Sequence, residues 1–102
     1  MPKLYEYFGL IVLFYANEHE PVHVHGKCQG RECRAEIIVI GGRIEENRFL
    51  PQRGRRPLND GEMRNFQTLV KAKGDEIIQK WIDFFVLHKS ITPVRITVRL
   101  LP

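Results

Sequence analysis

The stretch VHVHGKC, residues 22–28, alternates valine with histidine over its first four positions. Side chains on a β-strand point to opposite faces in turn, so this period of two indicates a strand with Val22 and Val24 on one face. Gln29–Glu32 is typical of a turn. Ala35–Ile40 is a second apolar run, and the glycines at 41 and 42 favour a tight hairpin because glycine accepts positive φ angles.

Further strands are expected on both sides of this stretch. Leu10–Tyr15 is apolar on both alternating faces, which is typical of a strand inside a sheet. Another strand is predicted over Arg43–Leu50. A last strand is predicted over Val94–Leu100, where apolar residues alternate with Arg and Thr.

Two helices are predicted between the last two strands. Asn59 or Asp60 can cap the first helix, and Gly74 is expected to end it. Asp75 can cap the second, whose apolar stripe runs over 77–85. The chain is therefore predicted to be one α+β domain over residues 1–102, a small mostly antiparallel sheet with two helices packed on one face, in the order ββββααβ.

Length and composition narrow the class of protein. The chain has 102 residues, 43% of them hydrophobic, which is enough for one core. Two cysteines are too few for a secreted disulfide scaffold, and the first seven residues lack the pattern of a signal peptide. The longest apolar run, Leu10–Ala16, is much shorter than the roughly 20 residues that span a bilayer. A cytoplasmic protein without membrane attachment is expected.

Basic residues point weakly to an anionic partner. Lys and Arg number 16 against 12 Asp and Glu, for a formal net charge of +4, which favours mild attraction of polyanions. Three arginines, Arg53, Arg55 and Arg56, follow the predicted sheet and are candidate contacts to RNA phosphates. The alternative is that they form a solvated connecting loop.

The histidines carry the strongest candidate chemistry. His23 and His25 leave the same face of the predicted strand, with Cα atoms roughly 6.5 to 7 Å apart, so their side chains can converge on one ligand. His19 lies in the preceding loop and could fold over the same face, giving three groups that titrate near neutrality.

Three interpretations of this cluster stay open. In metal-independent RNA cleavage, one neutral histidine removes the ribose 2′-hydroxyl proton and a protonated one donates to the departing oxygen. Alternatively, His23 and His25 begin a transition-metal site completed by His19, Glu18 or Glu20, or, with looser spacing, by Cys28 and Cys33. The histidines could also be partly exposed polar residues without a specific role. We assign no metal or other cofactor at this point.

The pairing of Phe8-Gly9 with Asn17-Glu18-His19-Glu20-Pro21-Val22-His23-Val24-His25 resembles the signature of the bacterial domain-of-unknown-function 4160 family, Phe-Gly followed by Asn-Asp-His-x-Pro-Pro-His-x-His. Within this motif, Asn17 and Pro21 match the positions that frame the histidines. Glu18 replaces an aspartate and Val22 replaces a proline.

This resemblance implies a small bacterial protein often encoded beside a second small protein, and members have been discussed as toxins of toxin–antitoxin pairs. The expectation is therefore a toxin-like component of such a module, acting as a metal-independent ribonuclease with His23, His25 and His19 as catalytic residues. Its expected partners are a small antitoxin-like protein and RNA. The alternatives are a non-catalytic module that binds protein or nucleic acid, and a histidine-based metal-binding protein.

Overall fold

A computed structural model describes residues 2–15 and 21–101 of the chain. In these ranges, strands come first, then a long helix that ends in a π-helical turn, then a short last strand. The elements are β1 (Lys3–Tyr7), β2 (Leu10–Leu13), β3 (Val22–Cys28), β4 (Arg31–Ile40), β5 (Arg43–Pro51), α1 (Asp60–Trp81), the π-helical turn (Ile82–Val86) and β6 (Val94–Ile96).

Six strands in the described ranges form a mixed sheet in the order β5-β4-β3-β2-β1-β6. Strands β1 to β4 each pair antiparallel with the next strand along the chain, whereas β6 pairs parallel with β1. The predicted hairpin between β4 and β5 is confirmed, with φ of 61° at Gly41 and 79° at Gly42. Strand β3 therefore lies inside the sheet, between β2 and β4.

The predicted order ββββααβ is wrong, first because α1 is one continuous helix where two were predicted. Gly74 does not end the helix but is buried within it. A Cβ at this position would lie 2.8 Å from Cδ1 of Ile44 on β5, so the glycine lets the helix approach the sheet closely. The helix passes through Gly74 because a helical glycine costs only about 1 kcal/mol relative to alanine.

The order is also wrong in its strands. Sequence reasoning did not assign β1, and the last strand is Val94–Ile96 rather than Val94–Leu100. After Ile96 the described contact of the chain with the sheet is through a side chain: the backbone N–H of Leu100 donates to the Tyr7 hydroxyl at 3.0 Å. Because β6 adds parallel to β1, the sheet is mixed.

Helix α1 packs across one face of the sheet and supplies much of the core. Its buried side chains form one continuous stripe that runs through the residues of both predicted helices. They are Phe66, Leu69, Val70, Ile77 and Trp81. Together they pack on sheet residues that include Tyr5, Tyr7, Val12, Val24, Ala35 and Ile37. No helix in the described part of the chain is long and apolar enough to cross a membrane.

The start of α1 is fixed by a capping box and an ion pair. The Asn59 side chain accepts from Glu62 N at 2.8 Å, and the Glu62 carboxylate accepts from Asn59 N at 2.9 Å. Arg31 of β4 donates to both oxygens of the same carboxylate, from Nε at 2.8 Å and from Nη2 at 2.6 Å. This arrangement ties the first turn of the helix to the sheet.

Replacing Glu62 with glutamine is expected to weaken the pH dependence of stability in acid. Hydrogen bonds from Arg31 lower the pKa of Glu62 from 4.5 to about 2. A carboxyl whose pKa is depressed by folding stabilises the protein above its unfolded pKa, and this contribution is lost as pH falls toward the folded pKa. Urea unfolding of the parent and Glu62→Gln at about pH 5 and about pH 3 measures the difference.

Glu46→Gln is the matched control, since Glu46 pairs with Arg48 at 3.0 Å on the exposed face of β5 and such pairs contribute little. The parent should be clearly more stable than Glu62→Gln near pH 5, with the gap narrowing near pH 3. Glu46→Gln should behave like the parent at both pH values. If the parent and Glu62→Gln lose the same free energy of unfolding between about pH 5 and about pH 3, the lowered pKa of Glu62 is contradicted.

Candidate functional site

The candidate site is built on β3, and its most buried histidine, His25, lies on the face of the strand opposite α1. Gly26 faces the helix, since a Cβ there would lie 2.8 Å from the Phe66 ring. Its neighbour His25 therefore points to the other face, as alternation along a strand requires. His25 stands across from Leu13 of β2 and from Arg34 of β4.

His25 belongs to a buried network of polar side chains. Its Nδ1 lies 3.1 Å from Oε2 of Glu32 on β4, and the Tyr15 hydroxyl donates to the same oxygen at 2.6 Å. His25 is 3% exposed and Glu32 is 1% exposed, and the ring centroids of Tyr15 and His25 are 4.0 Å apart. This Tyr15–Glu32–His25 network holds the His25 ring in place.

The hairpin between β3 and β4 explains how Glu32 reaches His25. Gln29 and Gly30 form the turn with φ of 49° and 80°, and the register that follows pairs Lys27 with Glu32. Glu32 thus lies one pair away from His25 along the same face, within reach diagonally across the strands.

The loop after β5 returns to the same carboxylate. The backbone N–H of Glu32 donates to Arg56 O at 2.9 Å, and Arg55 Nε lies 3.8 Å from Glu32 Oε1. Oε1 is buried and has no hydrogen-bond partner among the described residues. Of the three predicted arginines, Arg55 reaches the network through its side chain and Arg56 through its backbone, while Arg53 is exposed nearby in the same loop.

His23 lies beside the network and is less buried than His25. Its Nδ1 is 2.9 Å from the carbonyl oxygen of Pro21, so the Pro21 backbone orients the His23 ring. A carbonyl oxygen only accepts, so His23 Nδ1 carries a proton and the lone pair of the neutral ring is on Nε2. The His23 ring centroid is 5.4 Å from that of His25 and 5.5 Å from that of Trp81.

Two predicted site residues, Asn17 and His19, lie outside the described residues, so the roles assigned to them stay predictions. Tyr15 and Glu32 were missed by sequence reasoning, which placed Tyr15 in a strand and Glu32 in a turn. A two-residue turn at Gln29-Gly30 is the signal that could have found Glu32, because it implies the register that places Glu32 near His25.

A four-ligand set of His23, His25, Cys28 and Cys33 is not brought together. Cys33 is paired with Gly26 and is buried on the helix side of the sheet, whereas His25 faces the other way. Burial raises the pKa of both thiols, and a hydrogen bond with Glu62 raises that of Cys28 further, which disfavours the thiolate that metals bind. Over residues 2–15 and 21–101, no group of three His, Cys, Asp or Glu side chains is placed to hold a metal.

Comparison with known proteins identifies a family whose model covers most of the chain. The model of the family described as "Domain of unknown function (DUF4160)" matches residues 9–82. This range contains β2 to β5, the candidate site, and α1 with the first residue of its π-helical turn. No curated protein and no solved structure matches the chain.

Proposed function

The chain belongs to the domain-of-unknown-function 4160 family, and from that premise we propose that it is a toxin-like component of a bacterial toxin–antitoxin module that cleaves RNA without a metal. The toxin role, the antitoxin-like partner and a cytoplasmic location rest on the family resemblance. The catalytic part rests on one observation, the two histidine rings 5.4 Å apart, one of them hydrogen-bonded to a buried glutamate.

The two histidines differ in a way that suits opposite proton transfers. His23 is the more exposed, and with Nδ1 on the Pro21 carbonyl its neutral ring accepts a proton at Nε2. His25 has Nδ1 on the Glu32 carboxylate, which orients the ring and stabilises positive charge on it, as a carboxylate does in a catalytic triad. We therefore assign His23 as the general base and His25 as the general acid.

The proposed reaction balances without a co-reactant. His23 Nε2 removes the proton of the ribose 2′-hydroxyl, and the 2′-oxygen attacks phosphorus. The bond from phosphorus to the 5′-oxygen breaks, and that oxygen takes a proton from Nε2 of His25. The products are a 2′,3′-cyclic phosphate and a free 5′-hydroxyl, and Arg53, Arg55 and Arg56 are the cations available to stabilise the phosphorane charge.

The test is cleavage of a fluorescent single-stranded RNA by purified protein in excess chelator. His23→Gln is expected to reduce the cleavage rate about 100-fold or more, the usual contribution of a general base. His88→Gln is the matched control, since His88 is an exposed histidine near the C-terminal end and its loss should leave the rate unchanged. An RNA carrying 2′-O-methyl groups should resist cleavage, because it lacks the nucleophile.

Growth is a second measurement of the same variants. Induced expression of the parent should slow bacterial growth, expression of His23→Gln should not, and co-expression of the neighbouring small protein should relieve the effect. A folded His23→Gln protein that cleaves RNA and inhibits growth like the parent refutes the proposal.

The burial of His25 favours a second function, a non-catalytic module that binds nucleic acid or protein through its basic loop. At 3% exposure, His25 would then act only to hold β3 and β4 together. The same RNA assay separates the two functions. RNA that is bound in a salt-dependent way but left intact, with equal affinity for the parent and His23→Gln, supports the second function.

A further inference from the structure

A cleft of about 340 Å³ lies between α1 and the segment that follows β6. It is on the helix side of the sheet, whereas His25 faces the opposite side, so its function does not depend on the proposed ribonuclease. The volume is at the lower end of the range for small-molecule sites in proteins. Its lining includes Tyr7, Arg64, Thr68, Lys71, Arg99 and Leu100.

One wall of this cleft is a polar stripe along α1. Arg64, Thr68 and Lys71 follow one another at spacings of four and three residues, so they lie on the same side of the helix. Arg64 and Lys71 are exposed. The described lining contains three cationic side chains, from Arg64, Lys71 and Arg99, and no acidic one.

The opposite wall is held in position before any ligand arrives. Arg99 Nη1 donates to Asn65 Oδ1 at 3.0 Å, and the Arg99 guanidinium carbon lies 4.0 Å from the centroid of the Phe8 ring. Leu100 N donates to the Tyr7 hydroxyl at 3.0 Å. That contact uses the hydroxyl oxygen as acceptor, so the hydroxyl proton remains available for donation.

Phe8 is an unusual residue for its position. It is 47% exposed and has φ of 47°, in the left-handed region that bulky side chains seldom occupy. Phe8 and Gly9 form the two-residue turn between β1 and β2, and such a hairpin turn requires positive φ at both positions, here 47° and 85°. Here it places an aromatic ring under Arg99, which restricts the guanidinium to the edge of the cleft.

Three cations that line one cleft without an acid repel one another, and a bound anion relieves that repulsion. Arginine and lysine together suit a phosphate, since the guanidinium donates in pairs and the ammonium adds a point charge. A phosphate ion alone would leave most of the cleft empty, and the remaining surface includes Leu100, with the 1%-exposed Tyr7 as the floor beneath it. The ligand that fits therefore joins a phosphate to an apolar or aromatic group.

We propose that this cleft binds a small organic phosphate of nucleoside monophosphate size, with the phosphate held by Arg64, Lys71 and Arg99 and the organic part against Leu100, above the buried Tyr7.

The test is a titration followed by backbone amide NMR shifts, with adenosine monophosphate, inorganic phosphate and adenosine as separate probes. The monophosphate should bind at least about ten-fold more tightly than either fragment, which corresponds to about 1.4 kcal/mol. Its shifts should fall on α1 near Lys71 and on the segment around Arg99. Equal affinity for the monophosphate and adenosine, or for the monophosphate and inorganic phosphate, overturns the proposal, as does no binding.

The double variant Arg64→Met, Lys71→Met removes two of the three cations and should weaken adenosine monophosphate binding at least about ten-fold. Both side chains are exposed, so the fold should persist, and amide spectra verify it. Arg43→Met, at the exposed first residue of β5, is the control for loss of positive charge away from the cleft. The site is refuted if the double variant binds adenosine monophosphate as tightly as the parent, or if Arg43→Met weakens this binding as much as the double variant does.

Discussion

Replacing Glu32 with alanine is expected to lower the free energy of unfolding by about 3 to 5 kcal/mol, the usual loss when one partner of a buried polar or charged pair is removed. Glu32 is 1% exposed and accepts from Tyr15 while contacting His25 Nδ1. Without it, the buried His25 ring and the half-buried Tyr15 hydroxyl lose this acceptor. Urea unfolding at neutral pH measures the loss.

Glu36→Ala is the matched control on the same strand. Glu36 pairs with Arg34 at 3.4 Å, and the Arg34 side chain is 37% exposed, so water can replace this contact and its loss should cost about 1 kcal/mol or less. Glu32→Gln keeps the volume and one acceptor oxygen, and should fall between the two alanine variants. If Glu32→Ala is no more destabilising than Glu36→Ala, the network is not a determinant of stability.

Phe66→Ala is expected to be about as damaging, with a loss of about 3 to 5 kcal/mol. The Phe66 ring is fully buried, packs edge-on against Phe49 at 5.6 Å between centroids and covers Gly26. Its removal leaves a cavity under β3, and the rigid sheet can fill it only in part. Gln67→Ala, at the next and exposed helix position, should change stability by no more than about 0.5 kcal/mol.

A substitution at Gly26 tests the packing of Phe66 directly. Gly26→Ala should destabilise the parent by about 1 to 3 kcal/mol, because the new methyl group meets an aromatic ring that cannot bend away. In the Phe66→Ala background the methyl enters the vacated space, so Gly26→Ala should cost much less there. A double-mutant cycle measures this coupling, and additive losses would contradict the packing of Phe66 on Gly26.

These two predictions concern opposite faces of one strand. Phe66 presses on the helix side of β3 at Gly26, and Glu32 holds His25 on the other side. The position of the His25 ring therefore depends both on core packing and on a buried polar network. Loss of activity in Glu32 variants must accordingly be compared with their stability before it is attributed to catalysis.

The strand that carries the histidines was predictable because alternation is a local property. Val22–Cys28 was predicted as a strand and forms β3 with the same bounds, and the structure brings the rings of His23 and His25 together. The Gly41-Gly42 turn and the cap at Asn59 were predictable for the same reason, since each depends on residues a few positions apart.

Gly74 and Glu32 were misjudged because their environments are made by distant parts of the chain. Glycine is a frequent helix terminator, and only the approach of Ile44 on β5 shows that Gly74 serves a close contact inside one helix. Glu32 was predicted as a polar turn residue, but in the structure Tyr15 and Arg55, from the loop after β5, lie against its carboxylate. Strand β1 was missed, and the parallel pairing of β6 with it could not be seen locally.

By itself, the sequence determined where the strand with the histidines lies, which of its faces they share, and how the hairpin beside it turns. The tertiary structure alone decided that His25 is buried against Glu32, that α1 is continuous, and that three cations line one cleft. Side-chain periodicity is set by neighbours in the chain, which are visible in the sequence. Burial and charge pairing are set by residues far apart along the chain, which only folding brings into contact.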